Sequence, residues 1–413
     1  MRWECISLNC HYWLHMQDDN KEKYFQRIDS CNVSLWQDKG PSLTMLDMEL
    51  TERCDNNCIH CYINLPDNDV EAKERELSTS EVKTILEDAA SLGCLAVRFT
   101  GGEPLLREDF EENYIFARKL GLKVLLFTSA TLITSHLAQL LARIPPLEKI
   151  EITVYGMKRK SYEAVTRRPG SFEAAMHGMN LLLEKKIPFV VKFALLPPNR
   201  NEMEEFEAWA SSLPWTDGTP SYSMFFDLRC RRDSDEKNRL IKKLRLLPEE
   251  GLKALTRNHE EYLKGMQGFC SRFLGPPGNK LLSCRSGTGD VCVDAYGKFQ
   301  LCMLLRHPDT IYDLKKGSLK DAITNFSPKI REMEAANTEY LARCARCFLM
   351  GLCEQCPAKS WMEHGTLDTP VEYLCEIAHE QARYLGLLEG GERAWEVRDW
   401  RERVGVLSFK EGA

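Results

Sequence analysis

Seventeen cysteines, seven of them in two runs of short spacing, constrain this chain more than any other feature of its 413 residues. The first five residues include Arg2 and Glu4 and lack the apolar stretch of a signal peptide, so we expect a cytoplasmic protein. In that reducing compartment, clustered cysteines bind metal or perform redox chemistry more often than they form disulfides. The spacing of the cysteines decides between these roles.

The remaining composition is that of an ordinary globular protein, with 43% hydrophobic and 28% charged residues. The formal net charge of −6 gives no reason to expect nucleic acid or an acidic membrane surface as a partner. No segment reaches the roughly 20 apolar residues that a membrane-spanning helix needs. We therefore expect an enzyme or a metal-binding adaptor with no membrane partner.

Short apolar runs alternate with helical patterns over the first half of the chain. Six runs are predicted to be strands, at residues 45–50, 94–100, 123–129, 149–155, 188–195 and 222–227. Several are nearly continuous apolar runs, as expected for parallel strands that helices cover. Six strand–helix repeats predict an α/β fold that forms an incomplete or complete β/α barrel.

One helix can be placed in detail. Ser78 and Glu81 have the spacing of a capping box, and Gly93 stands where a helix would end. The apolar face predicted between them consists of Val82, Ile85, Leu86 and Ala89.

Composition divides the chain into five segments. We expect an N-terminal extension at 1–44, the β/α core at 45–230, connecting helices at 231–280, a cysteine-rich domain at 281–385 and a charged tail at 386–413. Because the cysteine-rich domain has little apolar periodicity, we expect bound metal to hold it together.

Cys54, Cys58 and Cys61 follow the first predicted strand directly. Three thiolates within eight residues can converge on one metal centre, and a four-iron cubane with three protein ligands keeps one iron open. On spacing alone, a zinc site and three unrelated thiols remain alternatives.

The next predicted strand ends in Gly101-Gly102-Glu103. Glycines let a ligand approach the backbone closely, and a glutamate accepts hydrogen bonds from an ammonium group. In a β/α barrel, both this turn and the three-cysteine loop lie on the catalytic face. Gly-Gly-Glu alone is more often just a turn, and it is informative only beside the cysteines.

These two motifs resemble those of the radical S-adenosylmethionine (SAM) superfamily over about residues 45–230. The resemblance implies a partial (β/α)6 barrel and a [4Fe–4S] cluster on Cys54, Cys58 and Cys61, with the SAM amino and carboxylate groups on the open iron. It also implies that Gly101, Gly102 and Glu103 contact the SAM amino group.

Further SAM contacts follow from the same resemblance. His60, just before the third cysteine, is expected near the adenine, with a simple loop residue or a cluster ligand as the alternatives. Ser129 and Thr153, at the ends of the third and fourth strands, are expected near SAM. Lys192 is a weaker candidate for the SAM carboxylate, because a solvated or salt-bridged lysine is the more ordinary reading.

A second group of seven cysteines follows, at Cys284, Cys302, Cys344, Cys347, Cys353, Cys356 and Cys375. Its two Cys-x2-Cys pairs fit a zinc ribbon as well as an iron–sulfur site. Seven ligands exceed one tetrahedral site, however, and suit two centres.

This region resembles the SPASM extension of many radical SAM enzymes, which has a Cys…Gly-x4-Cys hairpin, here ending at Gly297 and Cys302. The resemblance implies two auxiliary iron–sulfur clusters, both of the [4Fe–4S] type. The first would be held by Cys284, Cys302 and Cys356, and the second by Cys344, Cys347, Cys353 and Cys375. The gap before Cys356 is two residues where the family has three, which puts its exact place in question.

The other cysteines have less certain roles. Cys270 and Cys292 are candidates for a fourth ligand of the first auxiliary cluster, although a packed core thiol is the better interpretation of Cys292. Cys94 is expected in the core. Free thiols, any one of which could be catalytic near the active face, are expected at Cys5, Cys10, Cys31 and Cys230.

The resemblance predicts an oxidoreductase that cleaves SAM to a 5′-deoxyadenosyl radical and abstracts hydrogen from a ribosomally made precursor peptide. We expect a thioether or carbon–carbon cross-link in the product. Alternatives are oxidation of a Cys or Ser to formylglycine, as in sulfatase maturases, peptide epimerisation and, outside enzymes, a zinc-binding adaptor.

Two partners are expected besides the peptide. The 44 residues before the first strand are too few for a peptide-binding winged helix, so a separate leader-binding protein resembling the chaperone of pyrroloquinoline quinone biosynthesis is predicted. A flavodoxin or ferredoxin is expected to donate electrons.

Overall fold

The computed structural model describes residues 43–216, 220–284 and 286–408. The strands of these ranges are Met45–Thr51 (β1), Arg53–Cys54 (β2), Leu65–Pro66 (β3), Ala96–Gly101 (β4), Lys123–Thr128 (β5), Leu147–Val154 (β6), Phe189–Ala194 (β7), Ser221–Ser223 (β8), Asp290–Val293 (β9), Lys298–Gln300 (β10) and Tyr312–Asp313 (β11).

The α-helices of the same ranges are Val70–Arg75 (α1), Thr79–Ser91 (α2), Phe110–Lys119 (α3), Ser135–Arg143 (α4), Arg159–Thr166 (α5), Ser171–Glu184 (α6), Met203–Ser211 (α7), Asp235–Leu244 (α8), Pro248–Leu255 (α9), His259–Phe273 (α10), Leu319–Asp321 (α11), Ser327–Arg331 (α12), Thr338–Ala342 (α13), Met350–Cys353 (α14), Pro357–His364 (α15), Glu372–Tyr384 (α16) and Trp400–Ser408 (α17). Shorter 3-10 turns lie at Pro104–Leu106, Arg200–Glu202, Pro308–Thr310 and Cys344–Arg346, and a π-helical turn lies at Ala322–Phe326.

Nine of the described strands form one sheet in the order β11-β10-β9-β1-β4-β5-β6-β7-β8. Within this order, β9, β1, β4, β5, β6, β7 and β8 are parallel to one another. Strand β10 pairs antiparallel with β9 on one side and with β11 on the other. Because β8 and β11 are the two edges, the sheet does not close. The predicted α/β fold with an incomplete barrel followed by a cysteine-rich region is confirmed, and the strands of the described residues do not form a complete barrel.

The two faces of the sheet differ in chemistry. Leu46, Val97 and Ile152 belong to an apolar face that is fully buried against the helices. Their strand neighbours Asp47 and Arg98 pair across β1 and β4 and belong to the opposite face. The strands therefore alternate between an apolar face and a face that carries charged pairs.

Helix α2 confirms the detailed prediction. The backbone N–H of Ser78 donates to Glu81 Oε2 at 2.8 Å, and the backbone N–H of Glu81 donates to Ser78 Oγ at 3.3 Å. The buried residues of the helix are Val82, Ile85, Leu86 and Ala89. Gly93, with φ of +87°, follows the helix end.

The last predicted strand, 222–227, is largely wrong, since β8 spans only Ser221–Ser223. Phe226 turns instead into a buried apolar cluster, and the carboxylate of Asp227 pairs with Lys359. These side-chain contacts draw the chain away from the edge of the sheet.

The segment between β8 and β9 forms helices α8, α9 and α10, as the sequence predicts. Helices α10 and α17 share a second apolar cluster with Phe348 and Leu387, so the end of the described chain packs against the cysteine-rich region. No helix among the described residues is long and apolar enough to cross a membrane. The predicted division of the chain into five segments stays a prediction.

Candidate functional site

The three-cysteine loop begins at the carboxyl end of β1 and is held at two points. Cys54 lies in β2, which pairs with β3 at Pro66. Farther along, the backbone N–H of Ile59 donates to the carbonyl oxygen of Val165 at 3.0 Å. Because the loop is attached to β3 and to helix α5, its thiols are held in a defined arrangement.

The three thiols interact electrostatically with one another, and Cys58 is buried while Cys54 and Cys61 are partly exposed. Burial raises the pKa of Cys58 to about 12, and the charge of Cys61 adds to that rise. The pKa of Cys54 is raised for the same reasons. Backbone N–H groups point at two of the sulfurs, from Asn56 to Cys54 and from Asn64 to Cys61, each at 3.4 Å. Such donors stabilise sulfur that carries negative charge, as a cluster ligand does.

The two glycines at the end of β4 let the backbone of the cysteine loop pass beside them. A Cβ on Gly101 would lie 2.0 Å from the carbonyl oxygen of Thr51, and one on Gly102 would lie 2.2 Å from that of Arg53. The N–H of Gly102 donates to the Thr51 carbonyl oxygen at 2.7 Å. Sequence reasoning assigned this space to a ligand, whereas in the structure another strand of backbone fills it.

Glu103 is the centre of a buried hydrogen-bond network. Its carboxylate accepts from the Thr128 hydroxyl, the Ser129 hydroxyl and the Ser129 backbone N–H, each at 2.8 Å. Burial raises the pKa of the Glu103 carboxyl above its usual value. The Ser129 hydroxyl also lies 2.8 Å from that of Thr131, which donates to Asp55 at 2.6 Å. The predicted residues Glu103 and Ser129 are thus linked to the cysteine loop.

Two neighbours of this network escaped the sequence reasoning. Asp55, directly after the first cysteine, has a side chain only 3% exposed and forms an ion pair with Arg168. Asn56 is buried, and neither its amide nitrogen nor its amide oxygen has a partner. A buried amide without partners is costly unless a ligand or water satisfies it. The residues present therefore fit a polar cofactor beside the cysteines.

His60 lies in an aromatic setting. Its ring centroid is 4.6 Å from that of Phe226 and 5.6 Å from that of Tyr155. Burial lowers the pKa of His60 to about 3, so the ring is neutral near pH 7. Its Nδ1 is buried without a partner, while Tyr155 hydrogen-bonds to the Cys58 thiol. A neutral ring among aromatics suits contact with a flat, apolar-faced group such as adenine.

Thr153 and Lys192 are paired residues of β6 and β7 on the polar face of the sheet. Lys192 forms an ion pair with Glu151 and lies over the Phe127 ring, 5.3 Å from its centroid. Lys192 is therefore held within the sheet, and Thr153 stays half-buried beside it.

Four of the C-terminal cysteines line one pocket. They are Cys344, Cys347, Cys353 and Cys375. This is the set that sequence resemblance assigns to the second auxiliary cluster. Arg343 and Trp395, which the sequence reasoning did not single out, line the same pocket.

The other three cysteines of the C-terminal group also lie near one another. Burial raises the pKa of Cys302, and the charge of Cys284 adds to the rise. Burial raises that of Cys356 to about 12, with a contribution from Cys302. Among the described residues, no three His, Cys, Asp or Glu side chains converge on the position of a single ion. A cubane makes a different demand, since each thiolate binds a different iron.

The short gap between Cys353 and Cys356 has a structural reason. Glu354 ends helix α14 with φ of +55°, in the left-handed region, and so turns the chain sharply. Gln355 is buried, and its side chain accepts from the backbone N–H of Val371 at 3.0 Å. Two residues thus suffice to direct successive cysteines toward different groups.

The remaining described cysteines are buried. Cys94, Cys230, Cys270 and Cys292 are each at most 6% exposed. Cys292 lies in β9 next to β1, and Cys270 lies in the apolar cluster of α10. The core interpretation of Cys94 and Cys292 agrees with this burial. Cys5, Cys10 and Cys31 lie outside the described residues.

A buried charge cluster joins the hairpin to β1, and sequence reasoning missed it. Arg306, 1% exposed, donates to both carboxylate oxygens of Glu49 at 2.5 Å. It also lies 3.3 Å from Glu52 and 3.5 Å from Asp294. Glu52 precedes the first cysteine by two residues, so the cluster ties the cysteine loop to the C-terminal region.

Comparison with known sequences matches residues 48–212 to the Radical SAM superfamily. Fe-coproporphyrin III synthase from Methanosarcina barkeri is 30% identical over 174 residues, which are 42% of this chain and 42% of that protein. AdoMet-dependent heme synthase from the same organism is 26% identical over 340 residues, 78% of this chain and 93% of that protein. PqqA peptide cyclase from Gluconobacter oxydans is 31% identical over 174 residues, 42% of this chain and 47% of that protein.

Solved structures share the fold at low sequence identity. The protein anSMEcpe, with bound AdoMet and a Kp18Cys peptide, has a TM-score of 0.58 at 17% identity and covers 89% of this chain and 99% of its own. SuiB from Streptococcus suis has a TM-score of 0.50 at 16% identity, with 78% of this chain and 75% of its own covered.

The three-cysteine loop, the Gly-Gly-Glu turn, the open parallel sheet and the sequence match define residues 48–212 as a radical SAM domain. The chain thus carries a radical SAM domain, and the three relatives named above are enzymes. Its fold is shared with the solved structures of anSMEcpe and SuiB, which match 89% and 78% of this chain. Two of the three relatives named above are matched over less than half of their length.

Proposed function

We propose that the enzyme holds SAM on a [4Fe–4S] cluster bound by Cys54, Cys58 and Cys61, and uses it to modify a peptide. The observation that carries this proposal is the group of three mutually close thiols beside a buried glutamate at the carboxyl ends of parallel strands. When bound, the cluster and SAM supply a 5′-deoxyadenosyl radical through one-electron cleavage of the sulfonium.

The chain's own contribution is to position SAM and exclude water. All of the acceptor positions of Glu103 are in use, by Thr128, Ser129 and the backbone N–H of Leu105. The Ser129 hydroxyl has Thr131 as a second partner, so it can release Glu103 when the SAM ammonium group arrives. In this proposal Gly101 and Gly102 set the position of Glu103 beside the cysteine loop.

The other predicted contacts complete the SAM site. His60 contacts the adenine from within its aromatic setting, Thr153 lies toward the ribose or carboxylate, and Arg168, held by Asp55, offers a cation for the SAM carboxylate. The unpartnered amide of Asn56 supports a polar ligand at this place.

A peptide substrate is supported by the PqqA peptide cyclase relative. We propose that a thioether or carbon–carbon cross-link forms in a ribosomally made precursor. The test is an anaerobic assay of the holoenzyme with the peptide encoded beside its gene, SAM and dithionite, read by mass spectrometry. Loss of two hydrogens supports the proposal, whereas an unchanged mass with an inverted residue indicates epimerisation and contradicts it.

We also propose two auxiliary clusters, one on Cys284, Cys302 and Cys356 and one in the four-cysteine pocket. Three four-iron clusters require about twelve irons per chain. Replacing Cys344 and Cys375 by serine is expected to remove about four of them. Zinc in place of iron in anaerobically purified protein would contradict the assignment and favour an adaptor.

Two protein partners belong to the same proposal. A flavodoxin or ferredoxin donates the electron, and a separate small protein binds the leader of the precursor. Precursor peptide bound at near-micromolar affinity by the enzyme alone would rule out the need for the second partner.

A second candidate function is modification of a tetrapyrrole. The observation that favours it is the AdoMet-dependent heme synthase relative, which is matched over 93% of its length. The discriminating assay replaces the peptide with Fe-coproporphyrin III under the same anaerobic conditions. A change in the mass of the tetrapyrrole, together with no change in any peptide, would select this candidate.

A further inference from the structure

The four-cysteine pocket contains a charged hydrogen-bond donor. Arg343 Nη2 donates to the sulfur of Cys375 at 3.7 Å. For the other two groups of cysteines, the hydrogen-bond donors to sulfur are backbone N–H groups and the Tyr155 hydroxyl, while Lys237, Arg306 and Lys359 act on the thiols through charge alone. Within the described residues, the guanidinium therefore distinguishes this pocket from the other two cysteine groups.

Arg343 is held in place from three sides. Its guanidinium forms a bidentate pair with Glu372, at 2.7 and 3.0 Å, and a hydrogen bond to Glu339 at 2.6 Å. It also lies over the indole of Trp395, 4.8 Å from the ring centroid. Its side chain is 19% exposed and its Nε is buried without a partner. Such clamping fixes the direction in which the remaining N–H groups point.

Cys375 has a second polar neighbour, the buried residue His379. His379 Nδ1 lies 3.6 Å from the Cys375 sulfur and 2.8 Å from the Cys375 carbonyl oxygen. The Ala394 backbone N–H donates to His379 Nε2 at 3.3 Å, so Nδ1 is the nitrogen that carries the proton. Cys375 thus receives donors from two side chains.

A hydrogen bond donated to a cluster thiolate stabilises the reduced, more negative state of the cluster. We propose that Arg343 is a positioning residue that raises the reduction potential of the cluster in the four-cysteine pocket, so that this cluster is the first of the three to be reduced. This inference rests on the proposed auxiliary clusters. The inference adds the order in which the proposed clusters accept electrons.

The test is a stepwise reductive titration of the anaerobic holoenzyme with dithionite, followed by electron paramagnetic resonance. Arg343→Gln is expected to shift the midpoint of the first cluster reduced to a more negative value. Arg393→Gln is the matched control, because Arg393 also lies over the Trp395 ring, at 5.8 Å, and makes no hydrogen bond to a cysteine sulfur in the described chain. In Arg393→Gln, the midpoint of the first cluster reduced is expected to move much less.

An unchanged midpoint in Arg343→Gln, or one that moves no more than in Arg393→Gln, would overturn the proposal. If Arg343→Gln loses the cluster, Arg343→Lys is the variant to measure. A lysine paired with Glu372 keeps the positive charge but lacks the two parallel N–H groups of a guanidinium. A midpoint below wild type supports the proposal, and a wild-type midpoint contradicts it. Wild-type protein without iron in this pocket would instead contradict the auxiliary-cluster assignment itself.

Discussion

At the scale of single residues, the site depends on close approach between backbones and on one buried carboxylate. Gly101 and Gly102 are required because the strand that carries the cysteine loop lies where their side chains would be. Glu103 follows them directly and is held by hydroxyl and N–H donors from the end of β5. Substitution of a glycine here therefore tests packing, and substitution of Glu103 tests charge.

Gly102→Ala tests the packing. Its Cβ would lie 2.2 Å from the Arg53 carbonyl oxygen, and backbone cannot yield as a flexible side chain does. We expect a loss of about 1–3 kcal/mol of stability and weaker retention of iron, measured by thermal unfolding under argon and by metal analysis. In the control Gly268→Ala, on helix α10, the new Cβ meets nothing within 4 Å, and stability should hold or rise slightly.

Glu103→Gln tests the charge. Loss of an ionic hydrogen bond to the SAM ammonium group should weaken SAM binding by roughly ten- to a hundredfold in equilibrium dialysis. Because burial raises the pKa of Glu103, wild-type affinity should fall as pH drops through that raised value, and the variant should lack this dependence. Equal affinities for Glu103→Gln and for Glu108→Gln, whose side chain is 88% exposed, would refute the assignment.

At the scale of elements, the hairpin of β9 and β10 extends the sheet beside β1. Parallel pairing of β9 with β1 attaches the cysteine-rich region to the strand that leads into the cysteine loop. The charges of Arg306, Glu49, Glu52 and Asp294 are buried at the same junction. Removing one partner of such a cluster leaves buried charge without compensation.

Arg306→Met should therefore cost about 3–5 kcal/mol of unfolding free energy in anaerobic denaturant titrations near pH 8. Burial raises the pKa of Glu49 to about 7 even beside Arg306, and the loss of Arg306 raises it further, so the deficit should shrink as pH falls toward 7 and then level off. The matched control is Lys298→Met, which breaks the more exposed pair with Asp313 and should cost at most about 1 kcal/mol. Equal losses in the two variants would contradict a special role for the junction.

Much of the fold was predictable from local patterns, and the failures have physical causes. Helix α2 was predictable because its cap and its apolar face lie within sixteen residues, 78–93. The end of the sheet was not, because Phe226 and Asp227 are positioned by partners far along the chain. The same holds for the site: the cysteine spacing indicated the groups, while Arg168, Arg306 and Arg343 reach their partners only through the tertiary fold.

At the scale of the whole molecule, three groups of cysteines are placed around one open sheet and its C-terminal extension. One group lies at the carboxyl end of β1, where the radical SAM domain begins. The four-cysteine pocket lies among α13, α14 and α16, and the remaining group is anchored near the hairpin and α15. The central claim is that only the first group activates SAM, while the others move electrons or bind substrate.

The most direct test measures 5′-deoxyadenosine formed from SAM and dithionite by anaerobically reconstituted protein. We predict cleavage by the wild-type chain, its loss when Cys54, Cys58 and Cys61 are replaced by serine, and its persistence in Cys344→Ser/Cys375→Ser. Cleavage that survives replacement of the first three cysteines, or that is absent from iron-loaded wild-type protein, would contradict the account.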